Sequence, residues 1–154
     1  MARRSTVKGA ARLKRTLRKL PDAIKGQVVA VIAEAAEEIH FEALSAYQAS
    51  PHPYATGNLV GKIRYEIAKD GLSARIGSFG SRRQRAPHVH LVEFGVSPHP
   101  IPMPGGGVIQ HPGHAPTPFL FPAHKKVRDR FRLDIGEAVR NALHDVAKQQ
   151  GPIE

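Results

Sequence analysis

The chain has 154 residues, 41% of them hydrophobic, a formal net charge of +10 and no cysteine. That is the size and composition of one ordinary domain with a real core, not of a disordered chain. It excludes disulfides, zinc ribbons and thiol nucleophiles, and no window approaches the roughly 18 apolar residues of a membrane span.

The positive charge is concentrated at the start. Arg3, Arg4, Lys8, Arg12, Lys14, Arg15, Arg18 and Lys19 all precede the first acid, Asp22. Residues 5–19 read as a basic helix with loose apolar periodicity, and the lack of an apolar run argues against a secretory leader. A polyanion suits this charge, either nucleic acid or the acidic face of a neighbouring subunit; a solvated basic helix is the plainer alternative. No aromatic residue lies among these basics, so stacking on single-stranded bases is unsupported.

Pro21 and Asp22 then suit a helix start. Ile24, Val28, Ile32, Ala35, Ile39, Ala43 and Tyr47 recur every three or four residues. They predict an amphipathic helix about 40 Å long, ending near Ala49 where Pro51 and Pro53 follow. After a loop, Ile63, Tyr65 and Ile67, then Leu72, Ala74 and Ile76, alternate on either side of Asp70-Gly71, a β-hairpin pattern. A basic loop carrying Arg82, Arg83 and Arg85 comes next.

The stretch HVHLVEFG, residues 88–95, is too short for periodicity to decide its type. A strand would put His88, His90, Val92 and Phe94 on one face; a helix would group Val89, Val92 and Glu93. From Gly95 to Pro122, thirteen of twenty-eight residues are Pro or Gly, which excludes a helix and a central strand. Residues 96–114 are therefore expected to form a long arm. A last helix follows Val127, Phe131, Ile135, Val139 and Leu143 to about Gln149.

The expected fold is α+β, with a long N-terminal helix and a C-terminal helix packed on a small antiparallel sheet, and a long Pro/Gly-rich arm. Residues 1–20 would be a basic helix or arm, 21–149 a single domain, and 150–154 a frayed tail.

Five histidines between 88 and 114 raise the question of a metal. His88 and His90 on a strand, His111 and His114 on a turn, and Glu93 nearby would be enough for an open zinc or iron site. No HExxH or facial-triad spacing accompanies them, and Pro112-Gly113 leaves the ring orientation open, so no metal or other cofactor is expected. None of Ser45, Ser50, Ser73, Ser78, Ser81 or Ser97 lies in a G-x-S-x-G elbow. Glu93 is the one acid between Asp70 and Asp129, so a paired-carboxylate site has no local second member. Gly105-Gly106-Gly107 is not followed by the Lys-Ser/Thr of a phosphate loop. No enzymatic activity is expected, and Glu93 is expected to pair with Arg82, Arg83 or Arg85.

Several stretches then fall into one order: Ala55-Thr56-Gly57-Asn58-Leu59, the hairpin with Gly71-Leu72, Val92-Glu93-Phe94-Gly95, His114-Ala115-Pro116, and Pro118-Phe119-Leu120-Phe121-Pro122-Ala123. This order resembles the siphophage tail-completion or head–tail joining family of minor tail proteins, also found in gene transfer agents. The resemblance covers residues 22–147 and marks Thr56, Gly57, Leu59, Glu93, Phe94, Gly95, Pro118, Phe119, Leu120 and Pro122 as motif or assembly positions. The basic N-terminus and the length of the arm depart from the family's pattern.

The resemblance implies a non-enzymatic ring subunit, commonly hexameric, between capsid neck and tail tube. Such a ring completes or terminates the tail and allows head attachment around a DNA channel. The implied partners are further copies, adjacent neck and tail-tube proteins and, without sequence specificity, DNA, with no membrane. The implied location is the virion head–tail junction, after synthesis in the bacterial host cytoplasm. Arg3, Arg4, Arg12, Arg15, Arg18, Lys19, Arg82, Arg83 and Arg85 are candidate contacts to DNA or to an acidic partner. A nucleic-acid-binding accessory protein and a histidine-site metalloenzyme are the competing expectations.

Overall fold

A computed structural model of the chain describes residues 22–50 and 59–149. The expected basic segment 1–20, Thr56, Gly57 and the tail 150–154 lie outside the described residues. In chain order the elements are α1 (Asp22–Ala49), a 3-10 turn (Val60–Lys62), β1 (Arg64–Ile67), β2 (Ala74–Gly77), α2 (Val89–Phe94), β3 (His99–Pro102), β4 (Val108–His111) and α3 (Leu120–Gln149). The class is α+β, as the sequence pattern predicts. The strands form two separate two-stranded sheets, β1–β2 and β3–β4. Among the described residues no helix is long and apolar enough to cross a membrane.

Every position of the predicted α1 stripe is buried, from Ile24 through Val28, Ile32, Ala35, Ile39 and Ala43 to Tyr47. The helical period thus places one apolar face inward along all 28 residues. The chain groups into two compact units, and both long helices contribute residues to each.

The first unit comprises the described parts of residues 1–37, 65–75 and 127–154. Ile24, Val28 and Ile32 of α1 cluster with Leu72 and Ala142, and Val29, Ala74, Phe131, Ile135 and Val139 pack around them. Each large aliphatic side chain buried this way stabilises the fold by about 1.5–3 kcal/mol. The hairpin turn is a four-residue loop closed by Ala68 N–H donating to Ser73 O at 2.9 Å. Asp70 Oδ1 accepts the Leu72 N–H at 3.2 Å. Asp70-Gly71 is therefore not a two-residue primed turn, which would need positive φ at both residues; only Gly71 has it, at 67°. A Cβ on Gly71 would also lie 2.5 Å from a Val29 methyl.

The second unit comprises residues 38–64 and 76–126. Leu59, Ile63, Phe79, Ala86, Phe119 and Ala123 are buried in it together with Tyr47. The Tyr47 and Phe119 rings meet edge to face, with centroids 5.3 Å apart. His40 Nε2 lies 3.0 Å from Ile63 O, and Lys126 Nζ reaches Glu42 Oε1 at 2.7 Å. Arg64 turns inward, donating through Nη2 to Phe79 O with its guanidinium 4.6 Å over the Phe79 ring.

The arm is more regular than the sequence reading expects. Its prolines do veto a helix, but β3 and β4 pair antiparallel, with His99 opposite His111, Pro100 opposite Gln110, Ile101 opposite Ile109 and Pro102 opposite Val108. Only alternate residues of such a strand turn their N–H toward the partner. Pro98, Pro100, Pro102 and Pro104 share one parity, and Met103, of the other parity, donates to Gly107 O at 2.7 Å.

Candidate functional site

Within residues 88–95, Val89–Phe94 settle as the short helix α2. Val89, Val92 and Glu93, the face a helix groups, are half-buried or buried, while His88, His90, Leu91 and Phe94 are exposed. Glu93 is 7% exposed and is the one charged residue buried among the described residues. Its carboxylate accepts three backbone N–H bonds from the start of α3: Oε2 from Phe119 and Leu120, both at 3.0 Å, and Oε1 from Phe121 at 2.8 Å.

Those bonds complete the accounting for that helix end. An α-helix begins with four N–H groups that have no intrahelical acceptor. Glu93 takes those of Phe119, Leu120 and Phe121; Pro122 has none to satisfy; and Ala123 starts the ladder by donating to Phe119 O at 3.4 Å. A carboxylate also suits the positive end of the helix dipole. The expected ion pair of Glu93 with Arg82, Arg83 or Arg85 is thus overturned: the carboxylate points into α3's N-terminus, and the three arginines lie exposed in their loop. Backbone donors compete better here because they come pre-aligned and carry no side-chain entropy cost.

The neighbouring backbone ties the same two segments together. Thr117 N–H donates to Val92 O at 2.9 Å, and Val96 and His114 exchange a pair of 2.9 Å bonds. Gly95 has φ 73°, and a Cβ there would lie 2.7 Å from Pro116 N and 2.8 Å from His114 O. A side chain at that position would push the two segments of the junction apart.

Most of the described motif positions gather here. Phe119 is 1% exposed beneath the junction, while Phe94 and Phe121 stand 73% and 66% exposed on either side of the Glu93 contact in sequence. Pro118 and Pro122 are exposed and Leu120 half-buried. Leu59 is buried elsewhere in the same unit, where its carbonyl accepts the N–H groups of Lys62 and Ile63. The candidate contacts Arg3, Arg4, Arg12, Arg15, Arg18 and Lys19 lie outside the described residues.

The histidines do not gather as their sequence spacing suggests. His88 immediately precedes α2 and His90 lies in its first turn, so the two do not share a strand face. Among the described residues no three of His, Asp and Glu are placed to hold one metal ion. His111 instead meets His99, a residue that the sequence reading left out; their rings stack with centroids 5.0 Å apart. The two histidines lie six residues either side of Gly105, the centre of the hairpin register. In the first unit a groove of about 340 Å³ between α1 and α3 is lined by Gln27, Ala30, Val31, Asp134, Glu137, Ala138 and Asn141.

No protein-family profile, no characterised protein and no solved structure matches the chain.

Proposed function

We propose that this chain is a non-enzymatic structural subunit of a phage-type head–tail interface, forming a ring that completes or terminates the tail and lets the head attach around the DNA channel. One observation carries the reading. Val92–Gly95 and Pro118–Ala123, two separated segments of the resemblance, are one physical unit, joined by the three bonds from the start of α3 to Glu93. A resemblance arising by chance has no reason to select both halves of a single junction.

The arm fits a subunit that holds neighbours. Ile101, Met103, Val108 and Ile109 are 40–64% exposed on the β3–β4 ribbon, an apolar load that a two-stranded hairpin cannot bury by itself. Exposed Arg82, Arg83 and Arg85 suit DNA phosphates in a channel or an acidic neighbouring surface. Ring formation is tested by native mass spectrometry of the untagged protein. Closed oligomers, hexamers foremost, are expected; a monomer persisting at high concentration contradicts the reading.

The +10 charge favours, second, a nucleic-acid-binding accessory role. DNA affinity measured against salt separates the two: a steep slope that persists in a monomer supports direct phosphate binding as the main activity.

A further inference from the structure

We propose that His99 and His111 form a two-imidazole chelate for a divalent transition ion at the base of the arm. The site differs from the groupings by sequence spacing, because it exists only through the β3–β4 register that sets these residues directly opposite each other. The two rings stack at a centroid separation of 5.0 Å and an interplanar angle of 24°.

Each ring is held through Nδ1 by backbone of its own strand. His99 Nδ1 lies 3.0 Å from Ser97 O; a carbonyl only accepts, so Nδ1 carries the proton and Nε2 the lone pair. That is the state of a metal-ligating histidine, whose other nitrogen donates to a backbone carbonyl. His111 Nδ1 accepts the Gly113 N–H at 3.0 Å, so ligation through its Nε2 moves its proton to Nδ1 and releases the Gly113 amide. Zinc–nitrogen bonds of about 2.0–2.1 Å put two tetrahedral nitrogens about 3.4 Å apart. His99 is exposed and His111 half-buried, so binding requires both rings to turn out of their stack until the in-plane Nε2 lone pairs converge on one ion.

An all-imidazole pair suits copper, nickel or zinc over magnesium or calcium, with water filling the remaining positions. A bound ion ties the outer ends of β3 and β4 and so favours the paired state of the arm.

Zinc titration of the untagged full-length chain, followed by calorimetry and amide NMR, tests this. One zinc per chain is expected, with affinity falling about tenfold or more in both His99→Ala and His111→Ala and unchanged in His90→Ala. Zinc is also expected to shift the Gly113 amide. His99→Ala leaves the His111–Gly113 bond in place, so its effect is separable from collapse of the arm. Wild-type affinity in either arm variant, an equal loss in His90→Ala, or no binding up to millimolar zinc overturns the proposal.

Discussion

The Glu93 carboxylate lies 3.0 Å from the backbone nitrogen of Phe119, 26 residues further along the chain. That contact turns two short, separate motifs into one junction and gives the last helix its N-terminal cap. Hydrogen bonds to a charged group are each worth about 1.5–3 kcal/mol, and a lost helix cap alone costs about 0.5–2. Glu93→Ala is therefore expected to destabilise the chain by about 3 kcal/mol in urea unfolding. Glu93→Gln, which keeps one acceptor oxygen, is expected to recover part of the loss. An unchanged midpoint in Glu93→Ala would show that the cap contributes nothing.

Two glycines should respond in opposite directions to the same methyl group. Gly71 combines φ 67° with the Val29 methyl in the path of a Cβ, whereas nothing lies within 4 Å of a Cβ on Gly26 in α1. Gly71→Ala is expected to cost about 2 kcal/mol or more. Gly26→Ala is expected to stabilise by about 0.5–1 kcal/mol through helix propensity. Thermal unfolding of both variants checks the contrast.

The Tyr47–Phe119 contact ties α1 to the segment that leads into α3. Phe119→Ala is expected to cost about 3–5 kcal/mol, as for a large aromatic removed from a core. In a double-mutant cycle with Tyr47→Leu and Phe119→Leu, the edge-to-face pair is expected to show about 0.5–1.5 kcal/mol of coupling. Simple additivity would remove the ring geometry as a cause.

The arm should matter for assembly and little for the fold of one subunit. Ile101 and Ile109 face each other across the ribbon and are 40% and 53% exposed. Replacing both with Ser is expected to change unfolding free energy by less than about 0.5 kcal/mol per site while weakening the oligomer in sedimentation velocity. Protease cleavage within 96–114 should also be slower in the assembled ring than in free subunits; equal rates would count against the arm as a contact.

Much of the scaffold was legible because it is written in period. Ile24 to Tyr47 at helical spacing and Val127 to Val139 likewise report a buried face; in the hairpin Ile63 and Leu72 are buried as the alternation expects, but Tyr65 is exposed and Arg64 turns inward in its place. The arm was harder, because its prolines argue against a sheet unless their common parity is noticed. Pro98, Pro100, Pro102 and Pro104 leave every ladder donor to the residues between them, itself a strand period. The partner of Glu93 was not legible, since backbone N–H groups are the same in every residue and leave no sequence mark. The pairing of His99 with His111 leaves no local mark for a related reason: it depends on where the hairpin turns, not on any local spacing.

A head–tail role is tested most directly by electron microscopy of particles made without this chain, with the chain restored as control. Complete heads and tails that fail to join are expected, with joining recovered by the wild-type chain. Normally joined particles in its absence would contradict a role at the head–tail interface.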